Sequence, residues 1–97
     1  MVDLSKLTEL DLRILIAIDV TSTDDTSEIV DEIKEHGYAR VDTRKVGEAL
    51  RSFKRSPKLI RTDDHDRYQL TPEGQQATRG LIERFRHLTA YADRTLR

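Results

Sequence analysis

The 97-residue chain predicts a mainly α domain with one small β-hairpin and an extended C-terminal helix. Three observations carry that expectation. Apolar residues recur at helical spacing in several stretches. Two short β-prone runs, Leu59-Ile60-Arg61-Thr62 and Arg67-Tyr68-Gln69-Leu70, flank the polar tip Asp63-Asp64-His65-Asp66. The sequence Thr71-Pro72-Glu73 sets a capping hydroxyl, a proline and an acid at the start of the last periodic stretch, a strong helix-start signal.

The elements follow in order. Thr8 is a good N-cap, with Glu9 and Asp11 in the first turn, where carboxylates suit the positive end of a helix. The run Leu10 to Val20 is apolar at alternate positions, as a strand would be, and nearly all round as a helix. The cap and the lack of a nearby hairpin partner favour a helix, which would be the most buried one. Thr21 to Asp25 reads as a polar loop, and a second helix is predicted from about Thr26 to His36. Its apolar stripe is Ile29, Val30 and Ile33, and Gly37 is placed to stop it. Tyr38 to Val41 reads as a brief strand or an extended connector. Asp42 caps a third helix over residues 43–55, which Pro57 should end. The hairpin follows, and then a helix from Pro72 to about Arg94. This order, with its hairpin as the wing, is that of a winged helix-turn-helix with an extended C-terminal helix. The expected division is a winged helix-turn-helix domain over 1–76, of a type that binds DNA, and a C-terminal helix over 77–97 available for dimerisation.

Composition narrows the function. The chain has no cysteine, so neither a disulfide frame nor a Cys-based zinc site is available. It has no apolar run long enough to span a bilayer, so no membrane partner is expected and the cytoplasm is the expected compartment. Hydrophobic and charged residues each make up 36%, a polar balance at which small chains often complete a core by oligomerising. The net charge of −1 hides an uneven distribution. Met1 to Ala39 carries 3 basic and 10 acidic residues, Arg40 to Arg61 carries 8 and 2, and Thr62 to Arg97 carries 6 and 6. One basic block in a neutral chain points to one polyanion-binding face.

The third helix lies in that block. Val46, Leu50 and Phe53 recur at i, i+4, i+7 and should face the core, while Arg44, Glu48, Arg51 and Arg55 recur on the opposite side. The major groove of DNA admits a helix, and arginine can donate a bidentate pair to guanine O6 and N7. Arg44 and Arg51 are therefore the candidate base readers. Lys45 and Ser52 flank them and suit phosphate contacts. Thr43 sits at the helix start, where backbone N–H groups also meet phosphates. Glu48 either accepts from a cytosine or orients Arg44 or Arg51 as an ion pair. A merely solvated face is the competing reading, but one acid among five cations leaves such a face repelling itself. Arg40, Lys54, Lys58, Arg61 and Arg67 lie around the hairpin as candidate phosphate contacts. Arg61 and Arg67 stand at similar distances from the turn and read as cross-strand neighbours; they either reach phosphates or neutralise the acidic tip.

The segment Tyr68-Gln69-Leu70-Thr71-Pro72-Glu73-Gly74, together with Leu50 and the later Leu59-Ile60, resembles the passage from recognition helix through wing in winged-helix regulators of the PadR and MarR type, archaeal or bacterial. The resemblance covers about Thr8 to Leu81 and implies a sequence-specific transcriptional regulator of double-stranded DNA. Two departures stand out. Arg55-Ser56-Pro57-Lys58 stands where the family usually has Glu-Lys-Gly before Leu-Ile, and the wing tip, basic in many members, is acidic here.

Other chemistry has little support. The acidic tip lacks the glycine and the distal glutamate of a calcium loop, so it reads as a solvated turn and no metal is expected. His36 and His87 lie on separate helices with no nucleophile spaced for catalysis, and no glycine-rich phosphate loop exists, so neither enzyme activity nor a cofactor is expected. A small-molecule effector fits such a regulator, but no residue pattern names one. In the last helix Leu81, Phe85, Leu88, Ala92 and Leu96 form a heptad-like seam, which predicts a homodimer. The alternative function is a winged-helix protein–protein interaction module, docking through the acidic first half or the C-terminal helix.

Overall fold

The computed structural model describes residues 4–38, 40–55 and 58–95, with side chains described as far as His87. Among these residues lie four helices and one two-stranded antiparallel hairpin, in the order α1 (Glu9–Thr21), α2 (Thr26–Glu35), α3 (Thr43–Phe53), β1 (Ile60–Thr62), β2 (Tyr68–Leu70) and α4 (Pro72–Thr95). A single 3-10 turn, Leu4–Lys6, precedes α1.

The ambiguous run from Leu10 to Val20 is helical, and its cap decides it. The Thr8 hydroxyl accepts from the Asp11 N–H at 3.2 Å, and the Asp11 carboxylate accepts from the Thr8 N–H at 2.8 Å. This reciprocal box satisfies two donors that a helix start otherwise leaves without partners. Leu12, Ile14, Leu15, Ala17 and Ile18 are buried, but Ile16 and Val20 are 38% and 64% exposed. Helix α1 is thus covered by α2, β2 and α4 on one side only. Its last turn closes at Ser22, which adopts left-handed angles and donates its N–H to Ile18.

Asp25 caps α2 by accepting from the Ser27 N–H at 2.9 Å. Ile29, Val30 and Ile33 are buried, as their spacing predicts. The helix stops at Gly37, whose φ of +92° lies in a region that a side chain disfavours. Tyr38 to Val41 forms no strand among the described residues. The Tyr38 N–H instead turns back to the Ile33 carbonyl, and the Arg13 guanidinium sits 4.9 Å from the Tyr38 ring. Ala39 and Pro57, the predicted helix stop, lie outside the described residues.

One core joins all of these elements. Val46, Leu50 and Phe53 from α3 meet Leu59 and Ile60 from the hairpin side, α1 and α2, and Ala77 and Leu81 from α4. The core therefore continues past residue 76. The hairpin pairs Ile60 with Leu70, Arg61 with Gln69 and Thr62 with Tyr68. The far edge of β2 is not left bare, because the Tyr68 N–H donates to the Thr23 carbonyl at 2.8 Å, tying the hairpin to the α1–α2 loop. Thr71 joins hairpin and α4. Its hydroxyl donates to the Lys58 carbonyl at 2.6 Å and accepts from the Gly74 N–H at 3.0 Å. None of the described helices is long and apolar enough to cross a membrane.

Candidate nucleic-acid interface

Helix α3 presents its cations as its spacing requires. Asp42 caps it, accepting from the Arg44 N–H at 2.9 Å. Three buried residues, Val46, Leu50 and Phe53, root one face in the core. The opposite face carries Thr43, Arg44, Lys45, Glu48, Arg51 and Ser52, all exposed. A rigid helix so rooted holds its outer side chains at fixed spacing, the condition for reading a groove.

The helix is shorter than predicted. It ends at Phe53 rather than Arg55, because the Leu59 N–H returns to the Phe53 carbonyl at 2.8 Å and turns the chain into the hairpin. Arg55 is exposed but stands beyond the helix, so it does not continue the stripe of Arg44, Glu48 and Arg51. Lys54 caps the end, and its ammonium lies 5.1 Å from the centre of the Tyr68 ring. This cation–π contact links α3 to β2 and places Lys54 where helix and hairpin meet. Tyr68 has no charge and no motif to mark it, so only the tertiary structure brings it into the site.

Glu48 pairs with Arg44, Oε1 to Nε at 3.6 Å, with side chains 56% and 85% exposed. A pair so open to water is worth under about 1 kcal/mol. It biases the direction of Arg44 without holding it back from a stronger partner. The Arg51 guanidinium instead lies along the helix beside Gly47.

The hairpin cations divide. Arg61 faces Gln69 across the strands, not Arg67, which corrects the expected pairing. The reason is the turn. Asp66 adopts a left-handed conformation at φ 59°, the turn closes between Asp63 and Arg67, and β2 starts only at Tyr68. Arg61 borders a shallow recess with Asp19, Ser22 and Gln75. Arg67 is committed to the acidic tip, its Nε donating to Asp63 at 3.0 Å. Arg40 and Lys58 are exposed.

Asp63 organises that tip. One carboxylate oxygen accepts from the N–H groups of His65 at 2.8 Å and Arg67 at 3.0 Å. The other accepts from the Arg67 guanidinium and, at 3.4 Å, from the Gln69 amide. Burial pushes the Asp63 carboxyl up, but the backbone donors of Arg67 and His65, followed by the Arg67 charge, outweigh it and hold it below its ordinary value of 3.8. The tip is thus built around a carboxylate that stays charged. Among the described residues no group of three or more His, Asp or Glu side chains converges to hold a metal ion.

Leu81 is fully buried within its own chain, and Phe85 is partly buried against the same core. Arg84 holds the chain start against α4 by donating to the Leu4 carbonyl at 2.7 Å. The side chains of Leu88 and Ala92, and Leu96 as a whole, lie outside the described residues.

A second surface feature lies on the far side of α1. A groove of about 280 Å³ runs between α1 and α2, floored by Ile16, Val20 and Ile33 and rimmed by Arg13, Glu32 and His36. No family model, curated protein or solved structure matches the chain.

Proposed function

We propose that the protein is a sequence-specific DNA-binding transcriptional regulator of the winged helix-turn-helix type, acting as a homodimer. The observation that carries this is α3. Its buried face is fixed by Val46, Leu50 and Phe53, and its free face sets Arg44, Lys45 and Arg51 toward solvent with one carboxylate among them. A cationic face held this rigidly is suited to a major groove. In a dimer two such helices would enter successive grooves, so the operator is expected to be pseudo-palindromic, with half-sites about 10 bp or a multiple apart. The acidic tip, with Arg67 bound to Asp63, contributes little to the binding.

The test is fluorescence anisotropy against duplex DNA at two salt concentrations, with the unaltered chain and Arg51→Ala. Binding should weaken steeply with salt, and Arg51→Ala should cost about 1–3 kcal/mol on the preferred sequence and less on random duplex. No binding at low salt removes the proposal. Equal losses on both duplexes make Arg51 a phosphate contact.

A second reading, a protein–protein interaction module, draws on the apolar groove between α1 and α2 and on the exposure of Ile16 and Val20. Two exposed apolar side chains are less than the extended patches that mark contact sites, so this reading stands second. It gains if duplex binding fails while Val20→Glu abolishes self-association or partner capture.

A further inference from the structure

Two of the four glycines are required by the backbone: Gly37 needs its positive φ, and a Cβ on Gly74 would overlap the Leu59 carbonyl. A Cβ on Gly80 would push only the movable end of the Leu4 side chain, which packs there. Gly47 has none of these reasons. Its backbone is ordinary helix, and a Cβ there would meet only the Arg51 guanidinium at 3.9 Å, an ordinary van der Waals contact. A glycine inside a helix lowers stability relative to alanine, because it loses more backbone freedom on folding. The fold alone would therefore be served better by alanine.

The position of Gly47 supplies the missing reason. Arg44, Gly47 and Arg51 fall at i, i+3, i+7, one stripe of α3. Gly47 is half-buried, on the flank between the buried face and the cationic one. A helix lying in a groove meets base edges with its outward face and the wall of the groove with its flank. We propose that a sugar–phosphate strand of the duplex packs directly against the α3 backbone at Gly47, with Arg44 and Arg51 on either side of the contact. The absent side chain sets how deeply α3 can seat. This rests on the reading of α3 as a DNA-contacting helix.

The experiment compares the full chain with Gly47→Ala and Gly47→Leu. Each is melted by circular dichroism and titrated by anisotropy against a random duplex and against a duplex selected by the unaltered chain. Gly47→Ala should melt at or above the original temperature yet bind both duplexes about tenfold more weakly, and Gly47→Leu more weakly still. Stability and binding moving in opposite directions is what a purely structural role would not produce. Binding by Gly47→Ala within about threefold of the original overturns the inference while leaving DNA binding standing. A loss confined to the selected duplex also overturns it, because a strand contact is common to both sequences. If the unaltered chain binds neither duplex, the reading of α3 falls and the inference falls with it.

Discussion

Thr71→Ala should destabilise the protein well beyond the loss of a surface hydroxyl. Thr71 is 6% exposed, and its side chain makes two bonds that no other group replaces. It caps α4 by accepting from the Gly74 N–H, and removing such a cap costs about 1 kcal/mol. It also donates to the Lys58 carbonyl at 2.6 Å, a part-buried bond whose loss costs about 1 kcal/mol more. The Thr71 N–H bond to the Leu59 carbonyl survives the change, since it belongs to the backbone. The expected loss is about 2 kcal/mol, which for a domain of this size lowers the melting temperature by about 10 °C. The assay is thermal unfolding followed at 222 nm, at one fixed protein concentration because any self-association makes the melting temperature depend on concentration. Thr71→Ser keeps both bonds and should recover most of the loss. Hydrogen exchange at the β1 and β2 amides should quicken in the alanine variant, because the hydroxyl ties the segment before β1 to the start of α4. A change under about 0.5 kcal/mol would show that the hydroxyl contributes no more than a surface group and would refute the network.

Two further outcomes are expected. Asp63→Asn should flatten the acid side of the stability–pH curve: the folded carboxyl lies below its unfolded value of 3.8, so its contribution is present above that pH and is lost as pH falls through the folded value. An unchanged acid midpoint in chemical denaturation would remove Asp63 as the organiser of the tip. Leu88→Glu combined with Ala92→Glu should give monomers by light scattering, because Leu81 is occupied in the core and the heptad-like spacing leaves the C-terminal part of the seam to carry any dimer; an unchanged mass would rule that seam out.

Wherever the cause of structure was local, it was legible in the residues themselves. The caps at Thr8, Asp42 and Thr71 and the stop at Gly37 are short-range devices, and they place the helices within a residue or two. The spacing of Val46, Leu50 and Phe53 likewise identified the buried face of α3, and with it the face that Arg44 and Arg51 occupy. What the tertiary structure alone decided depends on where distant segments meet. The α3 helix stops at Phe53 because residue 59 returns to it. Arg61 faces Gln69, not Arg67, because the turn takes Arg67 for itself. Lys54 finds the ring of Tyr68, and the hairpin leans on Thr23. Spacing along a chain reports which side of an element is apolar, but not which neighbour covers it, since pairing is settled by packing among all elements at once. That is also why Gly47 drew no notice in the chain. Only the space around it shows that neither a backbone angle nor a backbone neighbour requires a glycine there.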